Sequence, residues 1–133
     1  MGNIGQLFFS FSGRTNRAPW SIGLIVIAVV GSVLSAIFIG SAMSGMVGID
    51  PQDSAAIMAA MSRILIPSAI IGLVLLWPSL AVYTKRWHDR NKSGWWTLIG
   101  LIPVIGGLWL LIELGFLKGT AGPNQYGPDP LGG

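Results

Sequence analysis

The sequence predicts an all-α integral membrane protein, with three transmembrane helices and a short amphipathic N-terminal segment. Three observations predict it. The 133 residues are 52% hydrophobic and only 10% charged, whereas an ordinary soluble domain carries about 25% charged residues. Three runs lack Asp, Glu, Lys and Arg altogether: residues 18–49, 64–84 and 93–112, which is 32, 21 and 20 positions. A helix needs about 20 apolar residues to cross a hydrocarbon core of about 30 Å, and lipid offers no partner for backbone N–H and C=O groups, so each run is expected to be helical. Charge is most concentrated between the second and third runs, where Lys85-Arg86-Trp87-His88-Asp89-Arg90-Asn91-Lys92 holds four of the eight Lys and Arg.

Residues 1–17 form the first element. Ile4, Leu7, Phe8 and Phe11 recur at i, i+3, i+4 and i+7, one face of a short helix. With Arg14 and Arg17 beside it, this segment reads as an interfacial anchor. Met1-Gly2 opens like a myristoylation signal, but that motif requires Ser or Thr where Gln6 stands.

The first span is placed at residues 19–41. Its run is far longer than the 7–15 residues of a secretory signal, and Pro19 suits a first helical turn, where no N–H is needed. Ala28, Ser32, Ala36, Gly40, Ser44 and Gly48 fall every fourth residue. This row of small side chains permits close helix packing in lipid, and the expectation is packing within the chain. Residues 42–63 form an outer loop and helix. Asp50 is expected to cap it, with Pro51 at the first helical position and Asp53 in the first turn. The helix continues into the second span, 64–84, where Pro67 and Pro78 mark kink points.

Residues 85–94 form the basic loop, and the third span is placed at 95–117. Pro103, Gly106 and Gly107 break its middle. One broken crossing fits the length, and a re-entrant hairpin turning at Pro103–Gly107 is the alternative. The tail, 118–133, holds five Gly and three Pro in 16 residues, a turn-rich coil with Tyr126 as an aromatic anchor. The whole chain, 1–133, is one membrane domain.

Lys and Arg near span ends favour the cytoplasm. With the N-terminus inside and three spans, Arg14, Arg17, Lys85, Arg86, Arg90 and Lys92 face the cytoplasm, against Arg63 and Lys118 outside. A re-entrant hairpin moves Lys118 inside as well.

Four motifs carry a family resemblance. They are Phe11-Ser12-Gly13-Arg14-Thr15-Asn16-Arg17, the segment Lys85–Trp96, Ile102-Pro103-Val104-Ile105-Gly106, and Gly119–Pro130 with its Gly-Pro-Asn and Gly-Pro-Asp-Pro steps. In this order they resemble the YhaH-like bacterial inner-membrane family, domain of unknown function 805. Lys85, Trp87 and Gln125 depart from the commoner pattern. The resemblance implies a multi-pass protein of the bacterial inner (plasma) membrane, and it implies no activity.

Candidate chemistry is sparse. There is no cysteine and one histidine, which leaves no thiol chemistry and no multi-histidine metal site. Neither a cofactor nor a metal is expected. His88-Asp89 invites an acid–base reading, but adjacent helical residues point apart and no nucleophile is placed beside them. The expectation is therefore a non-enzymatic accessory or scaffold. Its contact surface for lipid or a partner protein would be Arg14, Arg17, Lys85, Arg86, Trp87, His88, Asp89, Arg90, Lys92, Trp95 and Trp96. Anionic lipid headgroups are the expected partner, since juxtamembrane Lys and Arg each gain on the order of 1 kcal/mol at a negative leaflet; a protein partner or a second copy is the other candidate, and nucleic acid is not expected. Glu113 is the single acid within an expected span. Its expected partners are Arg63 if the third segment crosses, or Arg14 and Arg17 if it turns back. The alternative function is a transporter or channel component using Glu113.

Overall fold

The structure, a computed structural model, describes residues 3–132. Met1, Gly2 and Gly133 lie outside the described residues, and the Met1-Gly2 signal with them. The described residues contain helices and no β-strand, and they group into two units, Met1–Val26 with Trp77–Gly133, and Ile27–Leu76.

The second unit holds the later turns of α2 (Arg17–Phe38), the short α3 (Gly40–Ser44) and the earlier turns of α4 (Ser54–Asp89). α2 and α4 have apolar faces turned outward: Val29, Val33, Ile37, Leu65, Ile66, Ile70 and Leu73 are exposed. Only 6% of the most apolar window of α2 is buried, and 11% of that of α4. A soluble core helix hides such residues; a helix in lipid presents them. The start of α4 corrects the expected cap. Asp53, not Asp50, is the cap: its Oδ1 accepts the Ala56 N–H at 3.0 Å, while Asp50 Oδ1 accepts the N–H of Gln52 at 2.9 Å and closes a turn. From there α4 runs 36 residues without interruption through Pro67 and Pro78.

The row of small residues is also corrected. Ala28, Ser32, Ala36, Gly40, Ser44 and Gly48 are exposed. Close approach occurs instead at Gly31, where a Cβ would stand 3.1 Å from Leu75 Cδ1.

The first unit has its core around the last turns of α4. Ala81, Val82, Lys85, Arg86, Trp87 and Asp89 are buried there, with Trp20 of α2. Trp20 meets Tyr83 edge-on at 6.1 Å between ring centroids. Gly23 lets α2 approach Val82, whose methyl would lie 3.4 Å from a Cβ. The N-terminal helix α1 (Ile4–Phe9) is capped by Asn3, whose side chain accepts the Gln6 N–H at 2.9 Å. Phe11 lies beyond it and meets Trp77 edge-on. α4 ends in a Schellman turn: Asn91 adopts φ 60°, Asn91 N–H donates to His88 O, and Lys92 N–H donates to Trp87 O, both at 2.9 Å.

The third apolar segment is not the single broken crossing expected over 95–117. Ser93 caps a 3-10 helix, Gly94–Leu101. The chain then reverses at a γ-turn, with Val104 at φ 64° and ψ −61° and Ile105 N–H donating to Pro103 O at 2.7 Å. It returns as α5 (Ile105–Leu110) and a π-helix, Leu111–Phe116. The arms touch backbone to backbone, since a Cβ at Gly106 would overlap the Ile99 carbonyl. Both ends of this hairpin lie at the end of α4. A Cβ at Gly94 would meet Thr84 Oγ1 at 2.7 Å, and Arg86 holds the carbonyls of Leu114 and Leu117. Eight 3-10 residues reach about 16 Å at 2.0 Å each, and twelve α- and π-helical residues about 18 Å. Neither arm matches a hydrocarbon core of about 30 Å.

Candidate functional site

A helix end leaves its last carbonyls without partners, and in a membrane water cannot supply them. Here basic side chains do. Arg86 donates through Nε to Leu114 O and through Nη2 to Leu117 O, each at 2.7 Å. Arg17 donates to Phe116 O at 2.9 Å, and Arg90 donates to Lys118 O. Four carbonyls at the end of the π-helix are thus held by three guanidinium groups. The arrangement also places positive charge at a helix C-terminus, where the dipole favours it.

Asp89 organises the centre. Its Oδ2 accepts from Arg86 Nη1 at 2.6 Å, and its Oδ1 accepts from Arg14 Nε at 3.1 Å. All three side chains are almost fully buried. Arg14 uses its remaining fork on the tail, donating to Gly122 O at 2.6 Å, to Gly127 O at 3.3 Å and to Thr120 O. The Asp89 backbone carbonyl accepts the Thr120 N–H at 2.7 Å. Gly119 is required beside it, because a Cβ there would overlap the carboxylate. One acid and two cations thereby join α4, the loop before α2 and the tail.

His88 and Asp89 do not act on each other. His88 Nδ1 is 2.9 Å from Gly13 O, and its ring stacks on Tyr126 at 3.8 Å between centroids and 3° between planes. Asn124 Nδ2 donates to the His88 carbonyl at 2.8 Å. Tyr126, expected as an aromatic anchor, is thus part of the packing of the tail. Lys85 donates to the carbonyls of Gln6 and Leu7, which ties α1 to the end of α4.

Glu113 has other partners than those expected. It pairs with Lys92 through Oε1, lies 3.5 Å from Arg90 Nη2, and accepts from Trp109 Nε1 at 2.6 Å. Neither Arg63 nor the Arg14/Arg17 pair meets it. The π-helical turn buries Glu113 and Leu114 together, so successive residues face the same interior.

The expected headgroup surface is therefore mostly turned inward. Lys85, Arg86, Trp87 and Asp89 are buried, and the Arg14 side chain is 1% exposed. Arg17, Trp95 and Trp96 remain exposed, and Arg90 and Lys92 are partly so. Lys92 lies 4.8 Å from the Trp96 ring centroid, a cation–π contact. Sequence reasoning missed Gly13, Gly119, Thr120, Asn124 and Trp109. Among these, the Gly119-Thr120 step carried the usable signal: a glycine beside a polar residue, where the backbone meets a side chain closely. No group of three or more His, Cys, Asp or Glu able to hold a metal occurs among the described residues.

The comparisons with known proteins agree with a membrane location. A family model described as "Protein of unknown function (DUF805)" matches residues 8–128. The inner membrane protein YhaH of Escherichia coli (strain K12) is 43% identical over 63 residues, covering 47% of this chain and 51% of that protein, so the matched region spans about half the length of that relative. The inner membrane protein YhaI of the same organism is 29% identical over 92% of this chain and 87% of its own length. The uncharacterized protein YiiR, also from that strain, is 27% identical over 95% of this chain and 89% of its own. No solved structure matches.

Proposed function

The chain belongs to the DUF805 family, and from that premise we propose a non-enzymatic accessory or scaffold module of the bacterial inner membrane. On this reading α2 and α4 cross the bilayer. The third segment enters and returns, and the N-terminus and tail both lie in the cytoplasm. Seven of the eight Lys and Arg then sit on the cytoplasmic side, with Arg63 alone opposite, separated from Lys85 by the uncharged run 64–84. The names of the relatives YhaH and YhaI support the location.

The observation that carries the scaffold reading is the Arg14–Asp89–Arg86 group. A catalytic acid or base must reach a reacting atom. Here the carboxylate is closed on both sides by guanidinium groups, and the one histidine is stacked on Tyr126 and bonded to Gly13. These are the interactions of a rigid cytoplasmic platform that presents Arg17, Arg90, Lys92, Trp95 and Trp96 to lipid or a partner.

Topology is tested by fusing a reporter active only in the cytoplasm after Leu131. Strong activity is expected; activity of a periplasmic reporter at the same point would overturn the two-crossing arrangement. Function is tested in proteoliposomes. No membrane-potential-dependent ion flux is expected from the intact protein. A flux that Glu113→Gln abolishes would replace this reading with the transporter alternative.

A further inference from the structure

A cavity of about 690 Å³ opens between α1, the Ser12–Asn16 loop, the start of α2 and the Pro128–Pro130 stretch of the tail. Its size is that of a small-molecule site. Three polar groups on its wall are incompletely matched. Lys85 is 4% exposed and meets only the carbonyls of Gln6 and Leu7, with no carboxylate at ion-pair distance among the described residues. An ammonium has three N–H donors, so one remains unassigned. A buried cation without a counter-ion is costly. Asp129 carries the opposite charge. Its oxygens accept the N–H groups of Gly122 and Leu131, each at 2.9 Å, and no cation stands at ion-pair distance among the described residues. Asn16 Oδ1 is buried and accepts no hydrogen bond.

Arg14 on the same wall is already paired with Asp89; the cation, anion and orphaned acceptor that remain call for a ligand with a matching anion, a matching cation and N–H groups to donate. The Ser10 and Ser12 hydroxyls, 3.0 Å apart, line the same cavity and leave one O–H to donate. Ile4, Leu7 and Ile22 supply an apolar wall, and Ile4 is exposed beyond it. We propose that this cavity binds a phosphate joined to a primary amine, the phosphoethanolamine head of a lipid of the cytoplasmic leaflet. The phosphate takes Lys85 and the remaining serine O–H; the ammonium takes Asp129 and Asn16 Oδ1; the glycerol and chains follow the apolar wall. A quaternary amine has no N–H for Asn16, and an anionic head without an amine leaves Asp129 repelling it.

This inference rests on the reading that α1 lies at the cytoplasmic interface, which the Leu131 fusion tests separately. The intact protein in detergent micelles is titrated with phosphatidylethanolamine, phosphatidylcholine or phosphatidylglycerol, and retained lipid is read by native mass spectrometry. Phosphatidylethanolamine is expected to bind about tenfold more tightly than the other two, the size of one charge-assisted contact. Asp129→Asn is expected to bring it level with phosphatidylglycerol, whose own binding holds or rises as the repulsion is removed, and an unchanged monodisperse peak on gel filtration reports that the variant is folded. No discrimination by the intact protein, or an undiminished preference in Asp129→Asn, would overturn the proposal. Displacement by soluble glycerophosphoethanolamine would support the head chemistry and assign it a soluble source; resistance to displacement supports the lipid.

Discussion

Asp89 is the residue on which most of the first unit depends, because removing one member of a buried ion group leaves the others charged and unmatched. Breaking such a pair costs about 3–5 kcal/mol. Asp89→Asn is therefore expected to lower the unfolding midpoint in detergent by that order, read by circular dichroism against denaturant. Arg14→Lys is expected to be destabilising as well, since a point-charge ammonium cannot replace a planar fork that reaches Asp89, Thr120 and Gly122 together. Unchanged stability in both would contradict the assignment of the group as the organising centre. Asp129 predicts a pH effect. The N–H groups of Leu131 and Gly122 hold its carboxyl below the usual value of 3.8. A depressed folded-state pKa stabilises the fold above the unfolded value and loses that contribution as pH falls through the folded one. The order of the tail turn is thus expected to persist at neutral pH and loosen in acid below about pH 4, seen as faster exchange of the Gly122 amide.

At the scale of elements, the hairpin and its π-helical return decide the geometry. The hairpin closes because Gly106 has no Cβ against the Ile99 carbonyl. Gly106→Val is expected to force the arms apart and destabilise the protein by several kcal/mol, the size of a severe overpacking, measured as loss of the monodisperse species on gel filtration. Gly107, which has open space around it, is expected to accept alanine with little change. The contrast between these neighbours tests the hairpin more sharply than either variant alone. α4 shows how local signals mislead by a few residues. Asp50-Pro51 reads as the helix start with Asp53 in its first turn, yet it is Asp53 that accepts an amide of the first turn.

At the scale of the whole molecule, the third segment sets where the tail goes. On the proposed two-crossing topology, cysteine placed at Leu131 is expected to react with an impermeant maleimide only after the cytoplasmic side is opened, while cysteine at Val104, at the tip of a re-entrant turn, is expected to resist from both sides. Labelling of Leu131 in intact cells would instead support three crossings.

The sequence by itself determined the helical membrane class, the position of the uncharged runs, the concentration of cations beside the second run, and the family motifs. Those features are local: hydropathy and charge are properties of a residue and its near neighbours. It also carried the His88-Asp89 doublet, and the angle between neighbours on a helix already indicated that the two side chains point apart. Only the tertiary structure decided that the third run turns back, that Glu113 pairs with Lys92 and Arg90, and that Lys85 and Arg86 donate to backbone carbonyls. Length alone cannot distinguish a crossing from a re-entrant pair of arms, since both need about 20 apolar residues. A guanidinium is the same in sequence whether it meets a phosphate at the surface or Leu114 and Leu117 from 28 and 31 residues away. The choice between them is made by which carbonyls the fold leaves without partners.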